Sequence, residues 1–354
     1  MELRLVGSEM CIRDSVRAHA LATAPDRDDT DPSGGTPLSA WQWYPASTQG
    51  RSTGTYAARY PLSWTHHEDV YRAGVLCEAF SPILPGDYQR TSYPVAVFRW
   101  QFSNPTDQPL ELSLMLCWRN TAGWFTNTDA AAEVHFRDDG SPEHNYAPAI
   151  GRGEGQRNRQ VDQPGLSGVL LEGQPSVPLA EGEGQWCLAL PDDLDGVQVM
   201  RCSRWDPSGD GSELWTPFAA DGRIPDSNND RASRSGEQAS AAIAVKFTLA
   251  PGASREIPLV ISWDLPVTAF ASGSSALRRY TDFFGSSGNN AAAIAAEALR
   301  DWRQWREQID AWQQPVLART QLPEPLRMAL FNELYDLCSG CLLYTSDAAD
   351  DVVG

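Results

Sequence analysis

Three acidic residues stand where a carboxylate could serve as nucleophile, acid or base: Asp87 in SPILPGDY, Asp264 in WDLP and Glu333 in LFNELY. Hydrolysis of a glycosidic bond needs two such groups across the bond, roughly 5–5.5 Å apart for retention and roughly 6.5–9.5 Å for inversion. Asp87 and Asp264 each lie close to a proline at a strand boundary, where a carboxylate commonly accepts from backbone donors. Glu333 falls on a helical stretch beside the core-like Phe331 and Leu334. A structural role is therefore expected for all three, and no residue is assigned a catalytic role.

Other constellations are weaker. His66-His67-Glu68-Asp69 offers four potential metal ligands in a row, but neighbours on a strand point to opposite faces and cannot all reach one ion; a solvated loop is expected there. Cys338-Ser-Gly-Cys341 is an isolated CxxC with no second pair, and it is not read as a redox or zinc site. Gly151-Arg-Gly153-Glu-Gly155 lacks the strand–helix setting of a phosphate loop. Trp41 and Trp43 could form a sugar platform, but tryptophan is usually mostly buried, so they are assigned to the core. No Gly-x-Ser-x-Gly elbow occurs, and Lys246 is the only lysine, which argues against P-loop and Schiff-base chemistry. No cofactor and no metal are implied.

The elements that would position any site are mostly strands. In Val95–Phe102, Phe98, Trp100 and Phe102 share one face; in Leu110–Trp118, Leu110, Leu112, Leu114, Leu116 and Trp118 do the same. Period two over both runs, with Asn104-Pro105-Thr106-Asp107 between them, reads as a β-hairpin whose apolar face needs a second sheet. Further strands are expected at Gly54–Trp64, Ala73–Phe80, near Ala132–Phe136, and at Leu166–Leu171, Gln185–Leu190, Val197–Trp205, Ala241–Leu249 and Ile257–Trp263, with a long polar loop over Asp221–Gln238. Strands this dense, with no helices between them, imply a large antiparallel two-sheet sandwich over about Ala40–Pro266.

The period then changes. Ile294, Ala298, Trp302, Trp305, Ile309 and Trp312 form one stripe of a helix capped by Asn289 or Asn290 and stopped before Pro315. A second helix begins at Pro325, with Leu326, Leu330, Leu334 and Leu337 as its stripe.

Composition sets limits. The chain has 354 residues, 42% hydrophobic, with 13 tryptophans and a net charge of −18. It can bury a large core, and its charge repels nucleic acid. No apolar run approaches the ~20 residues of a membrane span. Seven scattered cysteines fit a reducing, cytoplasmic setting better than a disulfide framework.

Four motifs in order carry a family resemblance: SPILPGDY (Ser81–Tyr88) with SYPVAVF (Ser92–Phe98), WDLP (Trp263–Pro266), RYTDFFG (Arg279–Gly285) and LFNELY (Leu330–Tyr335). Together they resemble the N-terminal domain of glycoside hydrolase family 116, which includes bile-acid β-glucosidases and non-lysosomal glucosylceramidases. The resemblance implies a mostly β domain followed by an (α/α)6 barrel that holds a glutamate nucleophile and an aspartate acid/base. Neither catalytic motif has a match in this chain. The expected organisation is a foreign, adaptor-like segment over 1–14, an incomplete sandwich domain over 15–285, a linker helix and the first, truncated part of the barrel over 286–340, and a foreign tail over 341–354. The terminal segments are expected to make few tertiary contacts.

On this reading the chain is the scaffold part of a retaining β-glucosidase or glucosylceramidase. Its partner is the catalytic barrel of the same polypeptide, and the full-length substrate is a β-glucoside or a glucosylceramide-like lipid. The alternatives are a free-standing carbohydrate-binding sandwich, against which the two helices argue, and a structural β protein without sugar affinity.

Overall fold

The computed structural model describes residues 4–11, 15–21, 54–67, 71–123, 134–136, 142–144, 153–269 and 275–338. In chain order come β1 (Arg4–Cys11), β2 (Ser15–Leu21), β3 (Thr55–Arg59), β4 (Leu62–His67), β5 (Gly74–Phe80), the one-turn helix α1 (Tyr88–Thr91), β6 (Val95–Ser103) and β7 (Leu110–Arg119). Short strands β8 (Val134–Phe136) and β9 (Pro142–His144) precede β10 (Arg157–Gln163), β11 (Leu166–Glu172), β12 (Gln185–Leu190) and β13 (Val197–Trp205). Then follow α2 (Ser212–Asp221), β14 (Ser240–Leu249), β15 (Ser254–Asp264), β16 (Val267–Ala269), β17 (Ser275–Leu277), α3 (Thr281–Phe284), α4 (Ala291–Leu317) and α5 (Glu324–Asn332), with a 3-10 turn over Glu333–Cys338.

Two antiparallel sheets form the sandwich. One has five strands in the order β13-β14-β7-β1-β2, the other eight in the order β10-β11-β12-β15-β6-β5-β4-β3. Between them lies a core that includes Trp100, Phe102, Leu112, Leu114, Leu188, Ile243 and Leu259. Mostly-β architecture with C-terminal helices is thus what the period switch implies.

The pair β6 and β7 is an arch and not a hairpin, because the two strands belong to opposite sheets. Their apolar faces meet across the core, where Phe102 packs edge-on against Phe247 of the five-stranded sheet at 5.1 Å. Asn104 makes the crossing. It is buried, donates through Nδ2 to the carbonyls of Gln108 (2.8 Å) and Leu249 (2.9 Å), and accepts the Thr106 N–H at 2.9 Å. The two strands part because β6 pairs with β5 and β15 while β7 pairs with β14 and β1.

Both sheets are also covered outside. On the five-stranded sheet, Leu214 and Phe218 of α2 pack on Met115, Cys117 and Met200. On the eight-stranded sheet, α4 buries Ile294, Ala298, Trp302, Trp305 and Ile309 against Val95, Val97, Leu170 and Val260. The tryptophan stripe therefore packs on the sandwich, as a helix of this pattern must if it is not to expose large aromatics.

Several expectations need correction. The stretch Gly54–Trp64 is not one strand: β3 and β4 pair around a turn at Tyr60-Pro61. The helix α2 and strand β10 were not foreseen. Helix α4 does not stop before Pro315 but runs to Leu317; a proline this close to the end forfeits one bond, to the Ala311 carbonyl, and leaves the rest of the helix intact. Segment 4–11 does not stay apart, since Arg4 to Met10 pair with Cys117 to Glu111 of β7. Strand addition needs only backbone donors and acceptors, so it makes small demands on sequence.

Candidate functional site

The outer face carrying α4 is where charge, aromatic rings and a groove come together. Glu78 on β5 is a lone acid in an otherwise apolar strand and is only 2% exposed. Trp64 Nε1 donates to its Oε2 at 2.8 Å, and its Oε1 pairs with Arg99 of β6 at 3.3 Å and with Arg306 of α4 at 3.0 Å. Arg99 also pairs with Glu256 of β15, which takes Arg303 of α4 at 3.1 Å. Arg306 pairs with Asp310, which faces Arg59 of β3 at 3.6 Å. Arg303 lies over the Trp302 ring at 4.4 Å. Hydrophobic burial holds the helix down, and this charge network fixes its rotation and register, because a buried acid left without its partner is strongly unfavourable.

The N-terminal end of α4 is held by Asp264, at the end of β15. Its Oδ2 accepts the backbone N–H of Asn290 at 2.7 Å and the Asn290 Nδ2 at 3.0 Å, while its Oδ1 accepts the Tyr280 hydroxyl at 2.8 Å. Burial, reinforced by this adjacent acid, pushes the Tyr280 hydroxyl well above the usual tyrosine range. Asn290 is the N-cap by position, but Asp264 supplies the capping carboxylate.

Near the other end of α4, the loop leading into α1 closes on itself. Asp87 accepts the Arg90 N–H at 3.0 Å and the Arg90 guanidinium at 2.7 Å. Thr91 Oγ1 bonds both the N–H and the carbonyl of Leu84 at 3.0 Å. Gly86, at φ +77°, makes the tight turn. Gln89 donates to the Tyr93 hydroxyl (2.8 Å), which donates to Glu297 of α4 at 2.9 Å. Burial pushes the Tyr93 hydroxyl up to about 12. Between this loop and α4 runs an open groove of about 710 Å³, lined by Leu84–Gln89, Gln308 and Trp312. Tyr88 stands at its edge, 80% exposed.

Asp87 and Asp264 are not brought together. Asp87 is bound to Arg90 of its own loop, while Asp264 is bound to Asn290 and Tyr280, so the two carboxylates share no hydrogen-bond partner. Glu333 is exposed in the 3-10 turn.

The remaining motifs fall as follows. His66 and His67 end β4 and are not a solvated loop: His67 is buried and stacks on Trp100 at 6.1 Å, while His66 faces out. Strand alternation separates the two imidazoles, and among the described residues no three His, Cys, Asp or Glu side chains form a metal cluster. Gly155 bonds the Ser233 carbonyl in a turn. Cys338 closes the 3-10 turn, while Cys341, Trp41 and Trp43 lie outside the described residues.

A family model described as beta-glucosidase 2, glycosyl-hydrolase family 116 N-term, matches residues 9–305. The chain belongs to this family. Among solved structures, a protein described as a kojibiose phosphorylase from human microbiome aligns over 77% of this chain and 23% of its own, at 9% identity and a TM-score of 0.28. A family GH92 α-mannosidase from Bacteroides thetaiotaomicron aligns over 70% of this chain and 24% of its own, at 11% identity and a TM-score of 0.26. The chain thus spans about a quarter of the length of these proteins.

Within this family-116 N-terminal domain, sequence reasoning missed the Glu78–Arg306 pairing and its neighbours. The available signal was Glu78 itself, an acid in the apolar run GVLCEAF, together with Arg303 and Arg306 each following a tryptophan of the buried stripe. The leucine stripe of the second helix also turned out differently. Phe331 is the buried residue, packed edge-on against Trp312 at 5.5 Å, while Leu326 and Leu330 are 46% and 49% exposed, and Tyr335 is 68% exposed.

Proposed function

We propose that this chain is the N-terminal scaffold of a retaining β-glucosidase- or glucosylceramidase-type hydrolase. In this reading α4 and α5 brace an (α/α)6 catalytic barrel of the same polypeptide, and that barrel carries the nucleophile and the acid/base. The observation that carries the proposal is the exposed apolar pair Leu326 and Leu330, one turn apart on a helix tied to the sandwich by Asn332, whose Oδ1 accepts the Tyr60 N–H at 2.9 Å. A pair of large apolar side chains held in place and left open is a surface for further protein. The substrate of the complete protein is a β-glucoside, with glucosylceramide-like lipids as the named class.

The setting is cytoplasmic. Support comes from Cys77, Cys117, Cys187 and Cys202, four buried thiols that form no disulfide. No helix among the described residues is long and apolar enough to cross a membrane.

The test is an assay of the purified chain with an aryl β-glucoside against a heat-killed control. No phenol above the control is expected, because in this reading the nucleophile and the acid/base both lie on the barrel. Turnover that disappears on changing Asp87, Asp264 or Glu333 would place the chemistry in this domain and end the scaffold reading.

A further inference from the structure

We propose that the groove between the Leu84–Gln89 loop and α4 is a binding subsite for a neutral pyranoside. Its volume of about 710 Å³ lies within the range of small-molecule sites, roughly 300–1,000 Å³. Its walls combine the 80% exposed ring of Tyr88 with the half-buried ring of Trp312. A flat ring offers a face on which the C–H side of a sugar can rest, and its hydroxyl or N–H edge can bond the sugar's oxygens.

The polar groups in the groove select for hydroxyls without charge. The Asp87 carboxylate is already matched by the Arg90 guanidinium at 2.7 Å, so the groove gives no net attraction to an ion. Gln308 has its Oε1 buried with no hydrogen-bond partner. A hydroxyl, which both donates and accepts, suits the Gln308 amide in the groove wall, which carries an acceptor and two donors. The loop itself is rigid: Thr91 clamps Leu84 from both sides, and Asp87 caps α1. The groove is therefore formed before any ligand arrives, which lowers the ordering loss on binding.

This subsite belongs to the sandwich and α4 alone, and it does not rest on where the catalytic carboxylates lie. Cellobiose is the probe, read by saturation-transfer NMR and by calorimetric titration of the whole chain. Saturable binding is expected, weakened roughly fivefold or more by Tyr88→Ala and by Gln308→Leu, and unchanged by Tyr56→Ala. Tyr88 and Tyr56 are both largely exposed, so these variants keep the fold, which circular dichroism verifies. Absence of saturable binding overturns the proposal, as does binding that survives both groove substitutions. Tighter, salt-dependent binding of glucose 6-phosphate would show an anion site and overturn it equally. None of these readouts involves turnover, so the result stands apart from the hydrolase assay.

Discussion

The carboxylate of Asp264 and the backbone N–H of Asn290 meet at 2.7 Å, so the last long strand of the sandwich caps the helix that lies across it. Asp264 is fully buried and also carries the Tyr280 hydroxyl. Replacing it by alanine leaves the buried Tyr280 hydroxyl and the Asn290 N–H without their acceptor. Loss of about 2–3 kcal/mol is expected, read as a lower urea midpoint with an unchanged slope. A midpoint equal to that of the parent chain would mean that the cap adds nothing.

Tyr280 makes the same region sensitive to alkali. Its folded pKa is raised above the unfolded value, chiefly by burial. The protonated hydroxyl is thus favoured by folding, and this contribution is complete below the unfolded tyrosine value of about 10 and lost as pH rises above it. Stability measured by denaturation between neutral pH and strong alkali should fall off above that point. Tyr280→Phe should begin lower, having lost its bond to Asp264, yet fall less steeply. Parallel curves for the two proteins would contradict the assignment.

Glu78 and Arg306 should be strongly coupled. Removing Glu78 takes away the buried carboxylate shared by Arg99 and Arg306, and Glu78→Ala is expected to destabilise by about 3–5 kcal/mol. A double-mutant cycle with Arg306→Met should show that the two losses are not additive. Additive losses would mean that the pair merely lies close together.

The exposed leucines should contribute little to stability. Leu326→Ser with Leu330→Ser is expected to shift unfolding by no more than about 0.5 kcal/mol per site, as surface changes usually do. The same change should reduce binding of a hydrophobic dye and self-association in sedimentation. A large drop in stability instead would show that these side chains pack within the chain in solution.

What could be read from the sequence follows the range of the forces involved. Strands such as Gln185–Leu190 and Val197–Trp205 show their bounds through local alternation, and the tryptophan stripe of α4 shows its buried face through period 3.6. Asp264 could be recognised as a structural carboxylate, though its partner Asn290 could not. Helix α2 was missed because Pro217 sits in its interior and masks the helical signal. The arch was mistaken for a hairpin because a short turn with two apolar faces serves either arrangement, and only the far partners β14 and β15 decide between them. Glu78 and Arg306 stand 228 positions apart in the chain, and no local pattern announces a contact at that range. The groove at Tyr88 was equally silent, since it needs a loop and a helix from distant parts of the sequence.

Helix α4 lies across β6, β11, β12 and β15 on the outer side of the eight-stranded sheet. Val95, Val97, Leu170 and Val260 would face water without it. Sandwich and helix therefore behave as one inherited block: recombination or gene fusion that joins a foreign segment anywhere before Ala291 would produce a sheet with a bare greasy face, prone to stick to its own copies. Viable joints fall after Asn332, which still holds the Tyr60 N–H of the sandwich, and natural exchange of this domain between larger proteins should leave its scars there.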